Sequence, residues 1–504
     1  MNRTWVFALC TAAALCAIPR PGVAQQYQPV SISVVELLAR VDKAYGTRAP
    51  GAYHRVNRTV TSDGVVTVTE TYTTGRDFKS VETLSGFQQA WGEFQGRAWQ
   101  QDRNGFVRSK GDEPPEPFAY ARDHPSDPAS GVTLLGITGT PPQFVVQIEP
   151  RKGLHQLRYF DAQTYLLTRI ETTDYDGHVR TTAFGDYKRV GGEFTPLTTT
   201  SSDDLSARTS RTEATTYESI PEAAANVDVP ASKSVFDLGS RTAVTVPAKF
   251  VNDKVLVTLT ISGAPYDFVL DSGAGSILFD TATARKLNLS IVAPYRASFG
   301  GDFTTGSVRV PEVGIGDLHA AGVAMDVAPY HESAGAVGLL GCDFFASGAL
   351  LVDYANHTVT LMASAPADPA ADGWAGVPIT LNSCIPEVRA KFNETPGNFV
   401  VDLGASATLL SRHYFESLAI PETSTRTEKG FFVGGAPVEV RTYVIDELHL
   451  GDLAYQNIYA TVPSSRIVDA RTIDGLIGRT FLRHFNLLFD YAHQKIYFKQ
   501  IPDP

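Results

Sequence analysis

Apolar and polar positions alternate along most of this chain, and short turn-forming clusters interrupt the alternation. One early segment has a different period. In residues 31 to 45 (SISVVELLARVDKAY), Val34, Leu37, Leu38 and Val41 fall on one face at helical spacing, which predicts a helix. From there to about residue 220 the two-residue period dominates, rich in Thr, Val and aromatics. HRVNRTVTSDGVVTVTETYTTG reads as a hairpin about Ser62-Asp63-Gly64, and further turns are expected at Asp161-Ala162, Asp176-Gly177 and Gly191-Gly192. The pattern predicts a helix packed on a curved antiparallel sheet. Residues 221 to 234 (PEAAANVDVPASKS) and 363 to 376 (ASAPADPAADGWAG) have the composition of linkers. The expected units are residues 25–228, 229–365 and 366–504.

The last two units are versions of one another. FVLDSGAGSILFD holds Asp271, and FVVDLGASATLLS holds Asp402, 131 residues on. Phe268, Val269, Asp271, Gly273, Ala274 and Leu278 recur as Phe399, Val400, Asp402, Gly404, Ala405 and Leu409. At the same offset, Asp280 and Ser411 are N-cap residues for short helices. Phe299-Gly300-Gly301 matches Val433-Gly434-Gly435. Leu339-Leu340-Gly341 matches Leu476-Ile477-Gly478 at an offset that has grown to 137 (Gly341 to Gly478), as loop insertions produce. A single Asp-x-Gly is an ordinary turn. Two inside a long ordered repeat are another matter, because chance does not repeat itself in order.

Two such loops facing each other bring two carboxyls to one water. Close carboxyls share a proton, so one acts as base toward the water while the other polarises a carbonyl. Asp271 and Asp402 are the candidate pair. Gly273 and Gly404 are expected to allow backbone conformations that a Cβ would penalise and to permit close approach of substrate. Ala274 and Ala405 keep the floor small. Leu339-Leu340 and Leu476-Ile477 are expected to pack beneath the loops.

These motifs resemble the retropepsin-like aspartic proteases, with their Asp-Ser/Thr-Gly-Ala loop, glycine-bearing flap and later apolar-apolar-Gly segment. The resemblance covers residues 235 to the end and is strongest for secreted bacterial members at VLVTLTISGAPYDFVLDSGA. It implies a mainly β fold, two acid-protease β-barrel lobes forming a pepsin-like pseudo-dimer in one chain. Phe299-Gly300-Gly301 and Val433-Gly434-Gly435 then belong at flap tips, and no cofactor or metal is needed. The hydroxyl after each Asp ties such lobes together. Ser272 supplies one, and Leu403 cannot, which is expected to cost the dyad rigidity. The N-terminal segments YFDAQTYLLTRIETTDYDG and FGDYKRVGGEFTP resemble the LolA/LolB-like carrier fold, implying lipid or lipoprotein contact.

Composition changes this picture little. Across 504 residues the hydrophobic share is 43% and the charged share 19%, as in soluble globular proteins, and the net charge of -11 argues against nucleic acid as a partner. Asn2-Arg3, the apolar run Trp5 to Ile18 and Gly22-Val23-Ala24 read as a cleaved export signal over residues 1–24, leaving no mature transmembrane segment. A periplasmic or secreted protein is expected. Cys342 and Cys384, one per lobe, either pair or stay as two buried thiols. Asp174-Tyr175-Asp176-Gly177 lacks the downstream Glu of a calcium loop, and the histidines show no HExxH spacing. The aromatics from Phe87 to Trp99 either line a groove or pack in the sheet. Three functions follow: an exported aspartic endopeptidase acting on peptide or protein, an impaired relative that binds extended peptides, or a lipid carrier acting through the N-terminal unit.

Overall fold

Strand-period sequence with turn punctuation has built sheets almost throughout. The computed structural model describes residues 27–75, 77–109, 131–151, 154–173, 179–204, 208–251, 254–298, 302–330, 335–382, 384–420, 426–431, 437–464 and 473–501. The expected signal segment, both expected flap tips and the Asp174 to Gly177 turn lie outside the described residues.

The N-terminal unit is a thirteen-stranded antiparallel meander in which the first strand, Ala52–Thr61, pairs with the last, Thr209–Ile220. Gly191 and Gly192 take φ of 58° and 95° in the two-residue turn between Val179–Val190 and Glu193–Asp203. Those are the left-handed values such a hairpin turn demands. The helix Val34–Tyr45 begins where Ser33 accepts the Glu36 N–H at 3.1 Å. It buries Leu37 and Val41 against Phe144, Val146 and Phe160, each side chain contributing about 1.5–3 kcal/mol. Phe87 and Trp99 are buried, so they pack in the sheet rather than line an open groove.

The two lobes repeat one topology. In the first, Ala264–Leu270 runs parallel to Gly338–Leu340, which is antiparallel to Leu278–Asp280, which is parallel to Leu318–Ala328. In the second, Thr395–Val401, Gly475–Ile477, Thr408–Leu410 and Leu453–Pro463 pair in the same sense. Each lobe also carries a hairpin where a flap belongs, Val292–Ser298 with Asp302–Ile315 and Arg426–Phe431 with Pro437–Leu450. The two lobes therefore carry one such hairpin each.

The lobes join through a six-stranded antiparallel layer. Its order is Ala243–Val251, Thr358–Met362, Ala349–Asp353, Phe485–Asp490, Lys495–Gln500 and Ala375–Pro378. Leu350 pairs with Phe489 at its centre, and Leu350, Val352, Leu487 and Phe489 are fully buried there. The stretch 363 to 376, expected as a linker, thus ends as an edge strand of the shared sheet. The stretch 221 to 234 is no free tether either. Gln101 Nε2 donates to the Ala231 carbonyl, Val107 N to Ser232 Oγ and Lys233 N to the Gly105 carbonyl. Proline and alanine gave both stretches a linker's composition, but neighbouring strand edges satisfy their backbones.

The short helix Cys342–Phe345 is where the units meet. Cys342 is disulfide-bonded to Cys384 across the lobes, with the Cα atoms 5.7 Å apart, so the two cysteines pair. Phe344 meets Phe236 edge-on at 5.1 Å. Asp343 is buried and pushed up to about 8 by desolvation and by the Asp102 carboxylate, against Arg108 and Arg103. A raised carboxyl supports the fold below the ordinary carboxylate range and costs stability as pH climbs toward 8. Asp343→Asn is expected to be near neutral at pH 4 and to add roughly 3–5 kcal/mol at pH 8. Denaturant titration at the two pH values measures this, and a variant no more stable than the parent at pH 8 contradicts it.

Candidate active site

Strand alternation decides which side chains meet. Phe268 and Leu270 point into the main core, as do Phe399 and Val401. Val269 and Asp271 therefore share the other face, as do Val400 and Asp402. Each loop hangs from the strand beside it. Asp271 N donates to the Leu340 carbonyl and Asp402 N to the Ile477 carbonyl, both at 3.0 Å. Cys342 N and Arg479 N close the far ends onto the Ala274 and Ala405 carbonyls at 2.8 and 3.0 Å. Asp280 and Ser411 cap the following helices through Thr283 N and Tyr414 N.

The structure brings Asp271 and Asp402 together as a hydrogen-bonded, buried carboxyl pair at the lobe interface. The loop glycines allow this for a reason other than the expected one. Neither Gly273 nor Gly404 has a positive φ. A Cβ on Gly273 would lie 2.5 Å from Asp402 Cγ, and one on Gly404 would lie 2.3 Å from Asp271 Cγ. Each glycine makes room for the opposite carboxyl. Gly404→Ala is accordingly expected to part the pair and lower turnover by about 100-fold or more, read as kcat on a cleaved peptide. A variant that keeps parental kcat contradicts this role.

Gly341 and Gly478 are also explained by close approach, since a Cβ would meet the Ser276 and Ala407 carbonyls at 2.3 and 2.1 Å. Leu340 and Ile477 pack in the core beneath the loops as expected. Leu339 does not, and this corrects the expectation. It sits on the opposite face with Leu256, Val269, Ala336, Leu278 and Tyr330, forming an apolar wall contiguous with Asp271. In matching register the second lobe presents Val400, Leu476, Leu409 and Glu387. Glu387 stands where the first lobe has Leu256, so the two walls differ in polarity.

The tie between the loops runs through one serine. Ser272 Oγ donates to the Val401 carbonyl at 2.7 Å and accepts the Leu403 N–H at 3.0 Å. The Leu403 side chain is fully buried in the core instead. The missing second hydroxyl therefore leaves a cross-lobe tie in place, with leucine packing added.

Burial raises both acids. Burial, the Asp402 charge and the shared hydrogen bond hold the Asp271 carboxyl well above the usual range. Burial also raises Asp402, but its hydrogen bond with Asp271, the Gly404 and Ala405 N–H groups and the Arg479 guanidinium oppose the rise. Gly404 N and Ala405 N both donate to Asp402 Oδ1, at 2.7 and 3.1 Å. Both carboxyls are raised, and the pair titrates as a unit that shares one proton.

Three groups that the sequence reading did not single out surround the dyad. Arg479 is fully buried and donates to Ser406 Oγ and the Ala405 carbonyl. Lys254 is pushed down to about 8 by burial and by Arg479, with Asp271 opposing. Burial and the Asp271 charge push the Tyr330 phenol up. Arg479 was findable, since the repeat sets it opposite Cys342. Where the second lobe places a buried guanidinium after its Gly478, the first places the disulfide, and the Cys384 sulfur lies 3.7 Å from the Gly275 carbonyl. Phe299, Gly300, Gly301, Val433, Gly434 and Gly435 lie outside the described residues.

The sequence model of the aspartyl protease family matches residues 257–344 and 388–481, one match on each lobe. No curated protein matches the chain. Among solved structures, the aspartic proteinase from Irpex lacteus is 13% identical, covering 52% of this chain and 98% of that one at a TM-score of 0.35. A LolA superfamily protein from Nitrosomonas europaea is 12% identical, covering 40% of this chain and 96% of that one at a TM-score of 0.29. A DUF1329 family protein from Desulfovibrio piger is 13% identical, covering 37% and 91% at a TM-score of 0.28. The aspartyl protease match thus falls on the duplicated C-terminal half, once on each of its two lobes.

Proposed function

We propose that this protein is an exported aspartic endopeptidase that cuts extended peptides with a water held between Asp271 and Asp402. The observation that carries the reading is the buried, hydrogen-bonded carboxyl pair set between two equivalent loops. Asp402 takes a proton from the water as its oxygen attacks the scissile carbonyl carbon. Asp271 gives its proton to the carbonyl oxygen, leaving a neutral gem-diol. Collapse of that intermediate breaks the C–N bond, the amine nitrogen takes a proton from Asp402, and Asp271 recovers one from the diol. The dyad returns with one proton, and no covalent enzyme intermediate forms.

The strands around the site suit an extended substrate held by backbone hydrogen bonds, and the wall from Leu256 to Leu339 suits an apolar side chain beside the cut. Leu403 gives little support to an impaired binding module, because Ser272 ties both loops without a second hydroxyl. Export is supported by the basic, apolar and small-residue order of residues 1–24 and by a disulfide of the kind oxidising compartments sustain. Among the described residues no helix is long and apolar enough to cross a membrane.

A mass-spectrometric digest of a diverse peptide library by the mature protein, from pH 3 to 8, tests the proposal. Internal cleavages with an apolar residue flanking the cut are expected. An intact library over the whole range, from well-folded protein, would overturn it.

A further inference from the structure

We infer that Arg103, in the N-terminal domain, is a positioning residue for the catalytic loop of the first lobe, an inference that rests on the peptidase reading above. Arg103 lies in the turn between the strands Arg97–Gln101 and Val107–Ser109. Asp102 builds that turn. Its Oδ1 accepts the Asn104 and Phe106 N–H groups, both at 3.0 Å, and its Oδ2 accepts Arg108 Nη2 at 2.7 Å. The turn is thus preorganised to present its next two side chains to the first lobe. Asn104 exchanges hydrogen bonds with the Ala324 backbone, accepting its N–H at 2.8 Å and donating to its carbonyl at 3.3 Å. Arg309 of the lobe reaches back over the Phe87 ring at 4.8 Å.

Arg103 grips Asp326 with both terminal nitrogens, Nη1 to Oδ1 at 2.8 Å and Nη2 to Oδ2 at 2.6 Å. Such a fork fixes orientation as well as distance. The carboxylate it grips is already tied to the Asp271 loop. Ser276 Oγ donates to Asp326 Oδ2 at 2.6 Å, and Asp326 N donates to the Ile277 carbonyl at 2.8 Å. Arg103 Nη1 also donates to Ser307 Oγ at 2.9 Å. Ser307 lies on Asp302–Ile315, the returning strand of the flap hairpin. One guanidinium therefore holds three things in register: the loop bearing Asp271, the strand Leu318–Ala328, and the flap strand.

The duplication supplies an internal comparison. Where the first lobe has Ser276, Asp326 and Ser307, the second has Ala407, Thr461 and Thr442 in the same register. The second lobe has no carboxylate at that place. The scaffold is shared, so the charged set is a feature of the lobe that receives Arg103. The N-terminal domain then completes the site, which a detachable leader or an independently acting carrier would not do.

The full-length mature chain is compared with Arg103→Gln and Arg103→Lys, using hydrogen exchange and steady-state kinetics on one cleaved peptide. In Arg103→Gln, amides of residues 272 to 280 are expected to exchange about tenfold faster, while the equivalent residues 403 to 411 stay as in the parent. The kcat is expected to fall about 10–100-fold with KM changed less than about threefold, as loss of positioning produces. Arg103→Lys keeps the charge without the fork and should restore part of the kcat. Unchanged exchange over 272 to 280, equal loosening of both lobes, or parental kcat would overturn the inference. If Arg103→Gln does not fold, Asp326→Asn must show the same one-sided exchange. If the parent cuts no peptide, the peptidase reading fails, and the exchange comparison still decides whether Arg103 holds the loop.

Discussion

Asp271→Asn and Asp402→Asn are each expected to lower kcat by about 10³–10⁴-fold while KM changes little. Each carboxyl has a task the amide cannot perform. An asparagine at 402 cannot take a proton from water, and one at 271 cannot give a proton to the carbonyl. The apolar side chains beside the pair, Val269, Leu339, Val400 and Leu476, are untouched. The variants should also fold at least as well as the parent at neutral pH. Both carboxyls sit above their ordinary range in the fold. Their burial supports stability only while they hold protons, and costs it once pH rises past the ordinary carboxylate value. A neutral amide removes that cost. Kinetics on the best-cut library peptide, beside thermal unfolding at pH 7, measures both expectations. Parental kcat in either folded variant would sink the assignment.

Opening the disulfide is the second large effect. Cys342 follows Gly341 in the first lobe, and Cys384 precedes the strand Ile385–Phe392 in the second, so the bond clamps the lobe interface beside the Asp271 loop. Both residues are fully buried. The residues lie 42 apart in sequence, and the loop-entropy relation gives about 4 kcal/mol for a bridge of that span. The double variant Cys342→Ser/Cys384→Ser is expected to lose about that much in urea titration, and turnover should fall as the loops drift apart. A loss under about 1 kcal/mol would show that the six-stranded layer alone holds the lobes.

Much of the fold could be read from the chain because repetition and period are properties of sequence. The matched Asp loops, the capping Asp280 and Ser411 and the early helix needed only local pattern. The two cysteines could be named but not paired, because pairing depends on Cα separation. The glycines of the Asp loops were found for a reason the structure replaces. Their space is filled by the carboxyl of the other lobe, which no single-loop argument contains. The wall role of Leu339 depends on which face a three-residue strand presents, and that is fixed by pairing to Val269 and Leu278. Arg103 was beyond local reading altogether, since its partner Asp326 is 223 residues away. The anchoring of 221 to 234 was not legible, because composition does not record which strand edges lie beside a stretch.

The pH dependence of kcat/KM on a single cleaved peptide tests the shared-proton dyad most directly. The account predicts a bell. Activity should fall at low pH as the pair takes a second proton, and at high pH as it loses its only one. The alkaline limb should lie above the ordinary carboxylate range, because burial and the Asp402 charge raise the Asp271 carboxyl. A rate that keeps rising into alkaline pH, or no cleavage at any pH from folded protein, would contradict a hydrolase that runs on these two aspartates.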